Sequence, residues 1–92
     1  MAYSRDEAVE RARKDLAARL GVAEDEVRAE SVEEADFPNT ALGAPVADEM
    51  SGMMISTGWR IRLSAGSGKP YEYRADRNQL RLYNFKGKNY RI

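Results

Sequence analysis

The chain is 92 residues long, 42% hydrophobic and 33% charged, with a formal net charge of zero. That composition describes one globular domain with a single core and excludes a disordered chain. Cysteine and histidine are both absent, which removes disulfides, Cys/His zinc sites, Ser-His and Cys-His nucleophiles and the usual near-neutral general base.

The zero charge is a cancellation. Residues 1–50 hold six basic and thirteen acidic side chains, and residues 51–92 hold nine basic and two acidic. The two halves either meet in the fold or present a basic surface to an acidic partner. No apolar run approaches the ~18 residues of a membrane span. The N-terminus carries no apolar signal core, so the expected compartment is the cytoplasm by default; a secreted chain trimmed of its signal would read the same.

Ser4 followed by Glu7 is a capping box, and Gly21 is a left-handed stop, so the spacing predicts a helix between them. Val9, Ala12, Leu16 and Leu20 form one narrow apolar stripe along it. Three acid-first pairs, Glu7/Arg11, Glu10/Lys14 and Asp15/Arg19, have i,i+4 spacing on the other faces. The mixed sign of that polar surface speaks against a membrane-binding helix.

After the acidic turn "AEDE", the stretch "VRAESVEEADF" reads as a strand whose apolar parity changes, which calls for a β-bulge near Ser31–Val32. The clearest strand is "MMISTGWRIRLSA", where Met53, Ile55, Thr57, Trp59, Ile61, Leu63 and Ala65 share one face. "GSGKP" turns the chain, and Pro70 begins "YEYRA", with Tyr71, Tyr73 and Ala75 inward. "DRN" turns it again into "LRLYNF", with Leu80 and Leu82 inward and Arg81, Tyr83 and Phe85 outward. The tail "KGKNYRI" fits a short closing strand or a frayed end. The expected fold is therefore a single α+β domain over residues 1–92, one N-terminal helix packed across an antiparallel meander of about four strands.

Between the first two strands lies "DFPNTALGAPVADEMSG", residues 36–52. Unstructured connections longer than ~12–15 residues are usually functional or disordered. This one is not composed like a disordered tail. Phe37, Leu42, Val46 and Met50 are spaced as anchors, and Pro38 and Pro45 restrict the backbone. The expectation is a long ordered flap of Ω type folded over one end of the sheet.

The alanine-rich helix, "LGV" with its acidic turn, "VRAESVE", "WRIRL" and "YEYRAD" together resemble the PepSY-like domains of bacteria. These are small cystatin-like α+β modules found on secreted and membrane proteins and in metallopeptidase propeptides. The family commonly closes "YEYRAD" with a threonine-glycine turn; here "RNQL" stands instead, and Asn78 is the residue expected to take the positive φ. "FPNTALGAP" also resembles the aromatic-Pro-Asp…Leu-Gly-Cys-Pro segment of a group of short bacterial domains with the same layout. Phe37, Pro38, Leu42, Gly43 and Pro45 match it, while Ala44 stands in place of the cysteine.

Three functions compete. The leading expectation is a non-catalytic protein-binding module that presents the 36–52 loop through Phe37, Asn39, Thr40, Leu42, Pro45 and Val46. The PepSY-like resemblance implies a peptidase as the partner, bound or inhibited. The alternative uses the outward sheet face, Arg60, Arg62, Arg74, Arg81, Tyr83 and Phe85, to bind nucleic acid or a second copy, since arginines interleaved with aromatics contact phosphates and stack bases. A solvated face explains the same residues more cheaply, and Glu72 on that face opposes nucleic acid. The oligomeric expectation is a monomer or a weak homodimer. Enzyme chemistry is third. Asp36, Asp48 and Glu49 flank the loop, but no spacing matches a calcium loop, so neither a metal nor a cofactor is expected.

Overall fold

In the computed structural model, residues 3–47, 49–50, 52–66 and 69–92 are described. Helix α1 spans Arg5–Leu20. Its N-terminus is closed reciprocally: the Glu7 amide donates to Ser4 Oγ at 3.2 Å and the Ser4 amide donates to Glu7 Oε1 at 2.9 Å. These bonds, first that from the Ser4 backbone and then the one with its side chain, hold the Glu7 carboxyl below its ordinary pKa. Gly21 ends the helix with φ 69°, a conformation that costs glycine nothing. The fully buried face is Ala8, Ala12, Leu16 and Ala17, while Val9 and Leu20 are half-buried at its margins. Three alanines on that face let the helix lie close against the sheet. Of the expected i,i+4 pairs, Asp15–Arg19 forms at 2.7 Å. Glu7 is occupied by the cap, and Glu10 pairs with Arg13 at 2.8 Å.

A single 3₁₀ turn, Glu24–Glu26, leads into five strands: β1 (Val27–Phe37), β2 (Ser56–Ala65), β3 (Pro70–Ala75), β4 (Leu80–Phe85) and β5 (Lys88–Arg91). They form one antiparallel meander in chain order. The tail is thus a fifth, closing strand, made possible by positive φ at Lys86 and Gly87 in the two-residue turn before it. The β1 register shifts between Ala29 and Ser31, one step before the expected bulge. The extra residue, Glu30, is held by the Ser64 hydroxyl, which donates to its carboxylate at 2.6 Å.

Several expectations are corrected. β2 begins at Ser56, so Met53 and Ile55 are not strand residues and both are exposed. The reason is pairing: β1 ends at Phe37, opposite Ser56, and leaves the preceding residues without a partner strand. Trp59 faces the helix side as expected but is only half-buried there, and Tyr73 is the largest fully buried side chain. Phe85 does not share a face with Arg81 and Tyr83. The β4–β5 register shifts between Leu82 and Phe85, and Asn84 takes φ 53°, which rotates Phe85 into the helix-side core beside Tyr71 and Tyr90. Asn78 has no positive φ. The Asn78 and Gln79 amides donate to Asp76 Oδ1 at 2.7 and 2.9 Å, so a side-chain acceptor closes the turn without glycine. Of the expected turn between β2 and β3, Ser67 and Gly68 lie outside the described residues.

Register assigns the faces. Val27, Trp59, Ile61, Leu63, Tyr71, Tyr73, Ala75, Leu80, Leu82 and Tyr90 join the helix in the main core. The opposite face carries Phe37, Gly58, Arg60, Arg62, Glu72, Arg74, Arg81 and Tyr83. A second buried set, Phe37, Ala41, Leu42 and Ala44, lies outside that main core and comes from the end of β1 and the connection after it. The sheet is therefore a middle layer, with α1 on one side and the β1–β2 connection on the other.

Candidate functional site

The connection is shaped by its own short-range chemistry. Asn39 Oδ1 accepts from the amides of Ala41 and Gly43, both at 3.0 Å, which folds the chain back on itself. Leu42 and Gly43 then take φ 57° and 67°. Gly43 is required twice over, by its φ and because a Cβ there would stand 2.7 Å from Arg74 Nη1. Leu42 has no such freedom, and its left-handed backbone is sustained by its surroundings. Its side chain is fully buried and its carbonyl accepts from Arg74 Nη1 at 3.0 Å. Full burial of a leucine side chain contributes about 1.5–3 kcal/mol, comparable to the cost of that strain.

The neck of the loop is tied at Thr40 and Gly52. The Thr40 amide donates to the Gly52 carbonyl at 3.1 Å, and the Gly52 amide donates to Thr40 Oγ1 at 2.7 Å. The body is tied to the sheet. Gln79 Nε2 donates to the Thr40 carbonyl at 2.6 Å, Asn89 Nδ2 to the Pro45 carbonyl at 2.8 Å, and Arg81 Nη1 to the Ala44 carbonyl at 3.2 Å. Arg81 also grips Glu49 with both terminal nitrogens, at 2.5 and 2.7 Å. That grip holds the Glu49 carboxyl far below its ordinary range, at about 2, chiefly through the Arg81 hydrogen bonds and against the opposing effect of burial.

The loop residues singled out from sequence now separate. Phe37 and Leu42 are buried, as expected of anchors, and offer no exposed side-chain surface in this fold. Asn39 and Thr40 spend their side chains within the loop. Pro45 is exposed, and Val46 is half-buried with its amide donating to Glu49 Oε1. Met50, expected as an anchor, is 97% exposed. It leads a short apolar run with Met53 (91%), Met54 (72%) and Ile55 (72%). Among the described residues, these are the large hydrophobic side chains left exposed.

The sheet-face residues are also divided. Arg81 is 3% exposed, while the Arg74 side chain is largely enclosed at 14%. Arg74 lies 3.8 Å over the Tyr83 ring and 5.5 Å from that of Phe37. Glu72 is ringed by guanidiniums, with Arg74 at 2.7 Å, Arg60 at 3.5 Å and Arg62 at 3.8 Å. Arg60 and Arg62 remain partly open to solvent, and Phe85 belongs to the other side of the sheet. Among the described residues, no group of three or more carboxylates is placed to hold a metal ion.

Two features escaped the reading of the sequence. The Arg81–Glu49 pair joins residues far apart in the chain, and no local pattern signals it. Gly58 lies where β2 passes β3 so closely that a Cβ would fall 2.0 Å from the Ala75 carbonyl oxygen. A lone glycine inside a strand pattern is the signal for such an approach.

No curated protein and no solved structure matches this chain. A family model does. Residues 9–83, running from the helix through most of β4, match the one described as Domain of unknown function (DUF8738), and the protein belongs to that family.

Proposed function

We propose that the domain is a non-catalytic protein-binding module whose contact surface is the apolar run Met50, Met53, Met54 and Ile55. The observation that carries this reading is their exposure: among the described residues, the other large hydrophobic side chains are buried or half-buried. Methionine suits the task because its flexible, polarizable side chain adapts to an apolar groove. The base of the run is preorganised. The Arg81–Glu49 grip fixes the chain just before Met50 and the Thr40–Gly52 neck fixes it between Met50 and Met53, which lowers the ordering cost that opposes binding. The partner is a protein with an apolar groove, and the PepSY-like resemblance names peptidases as the class to try first.

A nucleic-acid role for the sheet face has less material. Arg74 and Arg81 already serve the loop, and Arg60 and Arg62 share Glu72. Photo-crosslinking from position 53 in cell extract, compared with the same probe in a Met50→Asp, Met54→Asp background, tests the proposal. A partner lost on substitution, then reconstituted from purified components, supports it. Crosslinks that survive both aspartates overturn it. A panel of metallopeptidases assayed with the domain tests the partner class.

A further inference from the structure

A cleft of about 250 Å³ opens at the end of the sheet where β3 begins and β4 ends. Its origin is visible in the pairing. The β3–β4 ladder stops at Glu72 opposite Tyr83, while β3 starts two residues earlier at Pro70 and β4 continues to Phe85. The left-handed backbone at Asn84 carries β4 away from its neighbour and leaves the gap. Tyr71, Tyr83 and Phe85 line it with aromatic surface, and Arg62, Lys69 and Lys86 line it with positive charge.

The charge there is not balanced. Glu72 is the one carboxylate among the lining residues, and it is already shared among Arg60, Arg62 and Arg74. Among the described residues Lys69 has no carboxylate within ion-pair distance. Lys86 likewise has no carboxylate within ion-pair distance among the described residues, and its Nζ lies 5.4 Å from the centre of the Phe85 ring. Lys86 is also held at φ 53° in a tight turn, an unfavourable backbone for lysine, and lines the cleft from an exposed position. Tyr83 lines the cleft and is half-buried, with the Arg74 guanidinium 3.8 Å from its ring centre. Small-molecule sites combine apolar walls with a few convergent polar groups in this way.

We propose that this cleft binds a small planar aromatic anion, its ring against Tyr83 and its carboxylate or phosphate between Lys69 and Lys86. The inference is independent of the methionine run, which contributes nothing to the cleft. The two anion types share one recognition chemistry, and the test separates them. Backbone amide shifts are followed by NMR during titration with indole-3-acetate and, separately, with adenosine 5′-monophosphate. Inorganic phosphate supplies an anion without a ring, and adenosine a ring without an anion. Saturable shifts at residues 69–72 and 83–86 are expected for at least one of the first two ligands, with Kd about 1 mM or tighter. The controls should bind at least about tenfold more weakly, the loss expected when a charge-assisted contact or a stacked ring is missing. Lys69→Gln with Lys86→Gln, both exposed positions that carry no core packing, should weaken binding by about tenfold as well. Lys69→Arg with Lys86→Arg should restore it. No saturable shift with either ligand overturns the proposal, and so does binding that survives the glutamine substitutions.

Discussion

The Arg81 guanidinium grips the Glu49 carboxylate through both terminal nitrogens, joining β4 to the loop that leaves β1. Because the guanidinium is almost entirely enclosed, this pair is a costly one to break among the contacts that hold the loop down on the sheet. Removing one partner of a buried pair leaves the other charged and unpaired, which costs about 3–5 kcal/mol. Glu49→Gln should fall near the lower end, since the Ala44 carbonyl and Gln79 Oε1 still accept from Arg81. Urea denaturation of the variant at neutral pH measures it, and a loss under about 1 kcal/mol would place the loop's anchorage elsewhere.

The same pair predicts an acid limb. Glu49 titrates at about 2 in the folded chain against an ordinary 4.5, so the unfolded chain binds the proton first. Its contribution is complete above pH 4.5 and is lost as pH falls toward 2. Stability profiles of the wild type and Glu49→Gln should converge across that window. Parallel profiles would mean that other carboxylates carry the acid sensitivity.

At the alkaline end Tyr73 acts in the opposite direction. Burial first, and then the hydrogen bond from its hydroxyl to Asp15 Oδ2 at 2.7 Å, push its pKa well above 10. The folded chain therefore keeps the proton that the unfolded chain releases. The stability linked to Tyr73 is full below pH 10 and declines as pH rises past it. Tyr73→Phe should cost about 1 kcal/mol at neutral pH and lose part of this alkaline slope in a denaturation series.

Gly58→Ala should destabilise the domain by about 2 kcal/mol or more, because a Cβ 2.0 Å from the Ala75 carbonyl forces β2 and β3 apart. Thermal unfolding reads the loss directly. A shift of only a degree or two would show that the two strands separate easily.

Leu42 and Met53 lie in the same connection and should respond in opposite ways. Leu42→Ala should cost about 2–4 kcal/mol, as for other buried leucines. Met53→Asp should stay within about 0.5 kcal/mol of the parent, as exposed substitutions do. Equal losses at the two positions would mean that the methionine run packs against the domain.

Local rules were enough for the helix and the order of the strands. The Ser4–Glu7 box and Gly21 act within four residues of the chain, and alternation in "WRIRL" and "YEYRA" follows from the two-residue period of a strand. Parity also put Arg60, Arg62, Arg74, Arg81 and Tyr83 on one face of the sheet. What covers that face was not written in any local pattern. The loop lies on it because Phe37 and Leu42 need apolar cover, and because Arg74 and Arg81 meet carbonyls and a carboxylate more than thirty residues away. Phe85 changed sides for a similar reason: one left-handed residue, Asn84, shifts the register of everything after it. The exposure of Met50, Met53, Met54 and Ile55 was likewise a tertiary outcome, since β2 begins only where β1 supplies a partner. Hydrophobic periodicity reports which side chains can be buried together, but burial itself is settled by where the backbone finds its hydrogen bonds.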